Sequence, residues 1–152
     1  MPVAFLNVNA DFQSLGRHLV GEWSTESRHP AVAGTVIAGS SRVEWLPGEQ
    51  FLIYRTAYDH PDFPDAISII GDTNGLQMHY FDVRGVHRLF ELSVTADGWA
   101  IAMPLRDDSP FAQRMTYTFD DAEHTMSGKG QLSYDGVTWE DDLETTYRRR
   151  SL

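Results

Sequence analysis

Short segments in which apolar and polar residues alternate fill the chain from residue 21 onward, and turn signals interrupt them about every 8 to 12 residues. The signals are clusters of Gly, Pro, Asn and Asp, such as Pro-Gly-Glu-Gln at 47–50 and Asp-Thr-Asn-Gly at 72–75. Alternation places every second side chain on the same face, as in a strand with one face buried. Regular spacing of this kind is typical of an all-β barrel or sandwich.

We therefore predict an all-β fold, an antiparallel up-and-down barrel of about ten strands preceded by a short helix. The helix is predicted over 10–20, because Phe12, Leu15 and Leu19 recur at a helical period. No linker divides the chain, so residues 1–152 are expected to form one domain with the barrel at 21–148. The predicted strands cover residues 21–28, 35–46, 51–58, 66–71, 76–83, 86–95, 99–104, 111–119, 125–134 and 137–148.

The acidic composition limits the classes of binding partner that we expect. The net charge of −10 disfavours binding to nucleic acid or to anionic membranes. The chain has no cysteine, which excludes disulfides, thiol nucleophiles and cysteine-ligated metals. Residues 1–10 lack the positive region of a signal peptide, and no apolar stretch approaches the length of a membrane span. We expect a cytoplasmic protein without nucleic-acid or membrane partners, and leave a homodimer open.

Side-chain facing is predicted from the tight turns, because each turn determines which residues pair across it. The turns at 84–85 and 135–136 are interpreted as two-residue hairpin loops. Arg55 is included on the condition that Phe51 and Ile53 point inward, since their strand is apolar on both faces. The residues predicted to line a ligand cavity are Arg55, His79, Arg88, Gln113, Trp139 and Asp141.

The roles of these residues stay open between structure and binding. Arg88 and Asp141 form either a buried ion pair or a polar clasp for the head of an apolar ligand. Arg55 and Arg88 together would suit a carboxylate or another oxyanion. His79 is either a hydrogen-bonded core residue or a ligand contact with acid–base capacity.

Strand direction gives the two ends of the barrel different character. Alternating directions bring three tryptophans to the end where the first strand begins, forming a closed floor from Trp23, Trp45 and Trp99. The longer connections, at 29–34, 59–65 and 105–110, lie at the other end. This predicts a barrel closed by aromatic rings below and open above.

The segment Gly21–Trp23 follows the predicted helix directly, and arginines occupy 148–150 at the end of the last strand. This resembles the lipocalin/calycin group, in which Gly-x-Trp opens the first strand and an arginine near the last strand covers the indole. The resemblance implies that Arg149 covers Trp23, with Arg148 and Arg150 as alternatives.

Longer stretches resemble a family of small bacterial proteins of unassigned function, among them EWLPGEQFLIYR (44–55) and YFDVRGVHRLFELS (80–93). That resemblance implies a calycin-like barrel, distantly similar to fatty-acid-binding proteins and nitrobindins. Nitrobindins bind haem through a histidine late in the chain, where this sequence offers His124. Haem is kept as an alternative; otherwise no cofactor and no metal is expected.

Three classes of function follow. The first is binding of a small, mostly apolar or aromatic ligand inside the barrel, for transport or sequestration. The second is an isomerase, cyclase or hydrolase using His79, Arg88 and Asp141. No nucleophile–base pair supports it, so no catalytic residue is assigned. The third is an interaction protein with a dimer face on strands 51–58 and 66–71.

Overall fold

The computed structural model describes residues 2–107, 109–120 and 122–150, with side chains from Ala10 onward. Within these ranges the chain contains one α-helix, α1 (Pro2–Leu19), and one 3-10 helix, η1 (Pro30–Val32). The strands are β1 (Gly21–Arg28), β2 (Ile37–Trp45), β3 (Phe51–Tyr58), β4 (Ala66–Asp72), β5 (Leu76–Asp82), β6 (His87–Thr95), β7 (Gly98–Met103), β8 (Ala112–Phe119), β9 (Thr125–Ser133) and β10 (Glu140–Arg149).

The strands form one closed antiparallel barrel, in which each strand pairs with its neighbours in the chain and β1 also pairs with β10. This confirms the predicted ten-stranded, all-β barrel with an N-terminal helix. Closure pairs both edges of each of these ten strands with a neighbour inside the barrel. The helix begins at Pro2, earlier than the predicted residue 10, and proline is well suited to a first helical position.

Helix α1 closes the lower end of the barrel. Its residues Phe12, Leu15 and Leu19 are buried against the strands. The Trp45 ring packs edge-on against Phe12, with ring centroids 5.6 Å apart. A side chain at Gly16 would collide with the Trp45 ring, so the absence of a Cβ there allows the helix to approach closely.

Trp23 ties this helix to the first and last strands. Its indole Nε1 donates a hydrogen bond to the Leu19 carbonyl at 3.0 Å. The Arg149 guanidinium lies 4.2 Å above the indole ring and donates to the carbonyls of Val20, at 2.9 Å, and His18. This is the contact that the Gly-x-Trp motif implies, and the arginine over the ring is Arg149.

Two hairpins have a register that differs from the prediction. Across β5 and β6, Tyr80 pairs with Arg88, because the loop holds residues 83–85 rather than two residues. Gly85 takes the left-handed conformation that such a loop requires, with φ 83°. A one-residue slip turns every side chain of the strand to the other face. Tyr80 therefore points into the barrel and His79 points out, opposite to the prediction.

Across β9 and β10, Leu132 pairs with Glu140 rather than with Trp139. Trp139 consequently lies on the outer surface, where the Arg114 guanidinium stacks 3.8 Å from its ring. The register then shifts between Asp141 and Glu144, which is a β-bulge that restores the inward facing of the rest of β10.

The bulge changes which of two neighbouring aspartates faces the mouth of the barrel. Asp141 pairs with Gln131 and is exposed, so its predicted inward position is wrong. Asp142 lies in the bulge, and its carboxylate points toward the barrel mouth with only 12% of the side chain exposed. Gly130 sits opposite, where a Cβ would lie 2.9 Å from the Leu143 carbonyl oxygen. The glycine therefore gives the bulged backbone the space it occupies.

Candidate functional site

An inner cavity of about 130 Å³ lies in the upper half of the barrel. Its described wall consists mainly of aromatic and sulfur-containing side chains: Tyr54, Tyr58, Tyr80, Tyr117, Tyr147, Phe90, Met78 and Met115. A wider mouth cavity of about 480 Å³ lies above it. The two share lining residues, including Tyr58, Tyr80, Arg88 and Gln113, so one ligand can extend from the first into the second.

Neutral phenols form the base of the inner cavity. The Tyr54 hydroxyl donates to the Tyr147 hydroxyl at 3.1 Å. Tyr117 stacks on Trp99 with ring centroids 3.8 Å apart. Burial raises the pKa of Tyr54, Tyr117 and Tyr147 above that of a free phenol. The base therefore offers aromatic surface and hydroxyl groups without negative charge.

Arg88 brings a positive charge to this aromatic wall. Its guanidinium carbon lies 5.0 Å from the centre of the Phe111 ring and 5.8 Å from that of Tyr80. No carboxylate lies within ion-pair distance of Arg88 among the residues described above. Aromatic faces stabilise the cation but leave its N–H donors unused. The guanidinium is thus available to an oxygen atom of a ligand.

A chain of three polar side chains lies beside Arg88 at the mouth. Asp142 accepts hydrogen bonds on both oxygens, from Gln113 Nε2 at 3.1 Å and from His29 Nε2 at 2.7 Å. His29 precedes the helix η1, and its Nδ1 accepts the Ala31 backbone N–H at 3.0 Å. The remaining polar atom of this chain, Gln113 Oε1, is buried and has no partner within the described residues.

A second polar group holds Tyr80 at the rim. The Asp82 carboxylate is fully buried and accepts the Tyr80 hydroxyl at 2.8 Å and Arg84 Nη2 at 2.6 Å. The Arg84 hydrogen bonds hold the pKa of Asp82 well below its usual range. Burial, with the bond to Asp82, raises the pKa of Tyr80 to about 12. Tyr80 is therefore fixed as a neutral phenol between the two cavities.

We expect Asp82→Asn to lower the free energy of unfolding near neutral pH. The difference from the wild-type protein should become smaller as the pH falls. Because the folded-state pKa of Asp82 is depressed, its carboxylate stabilises the fold above the ordinary value of 3.8 and loses that effect as the pH falls. Urea denaturation between about pH 6 and about pH 2.5 measures the difference. Asp59→Asn, in an exposed loop nearby, is the control. A deficit that stays constant over this range would show that ionised Asp82 does not stabilise the fold.

Four of the six predicted cavity residues lie elsewhere. Arg55 faces outward, because Leu52 and Tyr54 are the buried residues of β3, and it pairs with Glu44 at 2.5 Å. His79 contacts Thr73 at 3.1 Å on the outer surface. Trp139 and Asp141 are also outside, so Arg88 and Gln113 remain from the predicted set.

The structure does not assemble the groups that the enzyme hypothesis required. His79 is on the outside of the barrel and Asp141 is exposed, so neither reaches Arg88. The Arg88–Asp141 ion pair, one of the two alternatives left open by the sequence, is not formed. The residues that replace them are Tyr80 and Asp142. The run Glu140-Asp141-Asp142, which breaks the alternation of the strand, is the sequence signal that points to a bulge.

The residues present do not fit haem. His124 lies exposed in a turn at the closed end of the barrel, between β8 and β9. Of the described histidines, His29 alone lines the mouth cavity, and its ring nitrogens are engaged by Ala31 and Asp142. The inner cavity of about 130 Å³ is much smaller than a porphyrin and close to the size that holds benzene.

A larger concavity of about 610 Å³ lies outside the barrel, over β2 to β5. Two of the arginines that line it pair with Glu44, Arg55 at 2.5 Å and Arg42 at 3.7 Å. Ile67 and Phe81 add exposed apolar surface. Because this outer groove is open and Arg42 and Arg55 are already paired there, the inner cavity, where Arg88 has no carboxylate partner among the described residues, is the stronger candidate site.

The described residues offer neither a metal-binding cluster nor a membrane-spanning helix. They contain no group of three or more histidine, cysteine, aspartate or glutamate side chains arranged to hold a metal ion. Within the same ranges, no helix combines the length and hydropathy needed to cross a membrane.

Comparison with known proteins supports the fold. No protein-family model matches the chain, and no curated protein matches it either. Among solved structures, it is similar to Rv2717c from M. tuberculosis, with a TM-score of 0.66 and 16% sequence identity. The similarity covers 93% of this chain and 98% of that one. At this identity the likeness extends to the barrel architecture, while a function has to be argued from the site.

Proposed function

We propose that this barrel binds a small aromatic ligand carrying a carboxylate or another oxyanion, and that it transports or sequesters that ligand. The observation that carries the proposal is the Arg88 guanidinium, which lies between aromatic rings on the cavity wall without a carboxylate partner among the described residues. Arg88 is half-buried on this wall, and a ligand oxyanion would form a charge-assisted hydrogen bond with its guanidinium next to apolar surface.

The cavity dimensions indicate how much of the ligand is enclosed. An apolar cavity of about 150 Å³ holds a benzene molecule, so the inner cavity of about 130 Å³ accommodates roughly one ring. Phe90, Met78 and Tyr117 supply the apolar contacts for that ring. Arg88 lines both cavities, so a ligand whose oxyanion pairs with its guanidinium can put one ring in the inner cavity and extend a second ring or substituent into the mouth, which has about 480 Å³.

Arg88→Gln should separate the charge contribution from the aromatic one. A hydrogen bond to a charged group contributes about 1.5–3 kcal/mol, so we expect the affinity for 2-naphthoate to fall roughly 10- to 100-fold. The affinity for 2-naphthalenemethanol, which has the same rings without the charge, should change less than about threefold. Titration calorimetry measures both, and quenching of Trp99 fluorescence gives an independent signal next to the cavity base.

Arg17→Gln is the matched control, because it removes the same charge from an exposed position on α1, at the closed end. It should leave both affinities unchanged. The proposal fails if wild-type protein binds neither probe, or if Arg88→Gln and Arg17→Gln bind 2-naphthoate equally well.

A further inference from the structure

We infer that the ligand also carries an O–H or N–H donor, which pairs with Gln113 Oε1 while the oxyanion pairs with Arg88. This rests on the proposed function and specifies its ligand class as hydroxy- or amino-substituted aromatic acids. The inference follows from the direction of the hydrogen bonds through Gln113, Asp142 and His29.

The Gln113 amide has one possible orientation. An ionised carboxylate only accepts hydrogen bonds, so the Gln113 atom 3.1 Å from Asp142 must be the Nε2 donor. The carbonyl oxygen at the other end of the amide is then left as an acceptor. That atom is buried and has no hydrogen-bond partner among the described residues.

His29 also donates a hydrogen bond to Asp142, and its tautomer follows from its two contacts. Its Nδ1 accepts the Ala31 N–H at 3.0 Å and therefore carries no proton. The proton is on Nε2, which donates to Asp142 at 2.7 Å. His29 and Gln113 thus both donate to one carboxylate, one to each of its oxygens.

An unpartnered buried carbonyl is unfavourable, which makes Gln113 Oε1 a position for a ligand donor. Gln113 and Arg88 line the same inner cavity, whose volume is about that of one ring, so a single ring reaches both. Access to the carbonyl oxygen requires a neighbouring side chain to move. The unbranched chains of Arg88 and Met115, on the same wall, have the rotamer freedom for this.

We expect Asp142→Asn to reverse the orientation of the Gln113 side-chain amide, because the His29 tautomer allows only one orientation of the new asparagine. Since His29 Nε2 donates, the new side chain must turn its Oδ1 toward His29 and its Nδ2 toward Gln113. Gln113 then accepts through Oε1 and directs its NH₂ group into the cavity. The site changes from an acceptor beside Arg88 to a donor beside Arg88.

The test compares 3- and 4-hydroxybenzoate, which carry a donor, with 3- and 4-cyanobenzoate, which carry an acceptor and no donor. We expect wild-type protein to favour the better hydroxybenzoate by roughly tenfold or more over its cyano counterpart. Asp142→Asn should reverse that ranking. Titrations followed by NMR report the affinities, and the Gln113 side-chain amide resonance reports the contact directly.

Two further variants keep the test decisive. Asp141→Asn makes the same change at the exposed neighbour and should retain the wild-type ranking. Gln113→Leu approximately conserves the side-chain volume and removes the amide, so the preference for hydroxybenzoates should disappear while unsubstituted benzoate still binds through Arg88. If Asp142→Asn does not fold, the Gln113→Leu variant provides the test in its place.

The inference is overturned if Asp142→Asn keeps the wild-type ranking, if Asp141→Asn alters it as strongly, or if Gln113→Leu still prefers hydroxybenzoates. If benzoate binding depends on Arg88 and the hydroxyl adds nothing, the proposed function stands and this inference falls. If no benzoate and no naphthoate binds to wild-type protein, both fall.

Discussion

Trp23→Ala is expected to lower the free energy of unfolding by about 3–5 kcal/mol, the range for truncating a large buried aromatic side chain. Trp23 is 1% exposed and packs edge-on against Tyr147, with ring centroids 6.5 Å apart. Its loss also removes the hydrogen bond to the Leu19 carbonyl and the ring beneath the Arg149 guanidinium. Helix, first strand and last strand would all lose the side chain that joins them.

Chemical denaturation followed by far-ultraviolet circular dichroism measures this loss. Trp139→Ala is the matched control, because Trp139 lies half-buried on the outer surface and stacks against Arg114. We expect that change to remove about 1 kcal/mol or less. Equal losses in the two variants would show that the floor of the barrel does not depend on the Trp23 indole.

Gly98→Ala is expected to produce the second large loss, about 1–3 kcal/mol or more. Gly98 begins β7 and pairs with Thr118. A Cβ at this position would overlap the backbone carbonyl of Tyr117. Backbone atoms in a closed barrel cannot move aside as a side chain does, so the start of β7 would have to separate from β8. That separation would also disturb the stacking of Trp99 on Tyr117.

Gly128→Ala provides the comparison in the same barrel. Its Cβ would meet the rings of Tyr117 at 3.0 Å and Tyr147 at 3.3 Å, which are side chains and can shift by small rotations. We expect a smaller loss of stability than at Gly98, measured by the same denaturation experiment. The Trp99 fluorescence should shift more in Gly98→Ala. A larger loss at Gly128 would contradict the backbone explanation.

Much of the fold was predictable because strand boundaries have local causes. The predicted strands at 21–28 and 51–58 match β1 and β3 at both ends. Each ends where Gly, Pro or Asp residues favour a turn, and these preferences depend on backbone conformation alone. The alternation between the turns then required a shared core, and a closed barrel provides it for all ten strands.

The candidate site was predictable only in part, because facing depends on the number of residues in a loop. The three residues at 83–85 put Tyr80 inside where His79 was expected. The bulge in β10 put Asp142 at the mouth in place of Asp141. Each error is a displacement of one residue, and in a strand one residue is the difference between the two faces.

The sequence by itself determined the architecture: the barrel, its helix and the Gly21–Trp23 motif. These features follow from the alternation of apolar and polar residues and from turn-forming residues, which act over a few neighbouring positions. Only the tertiary structure decided which polar groups face the cavity. Gly130 makes room for the bulged backbone from the adjacent strand, and the orientation of the Gln113 amide depends on Asp142 and His29, which are distant in the chain. The facing of a polar side chain therefore depends on contacts between strands. The residues that share packing space and hydrogen bonds there are far apart in the sequence.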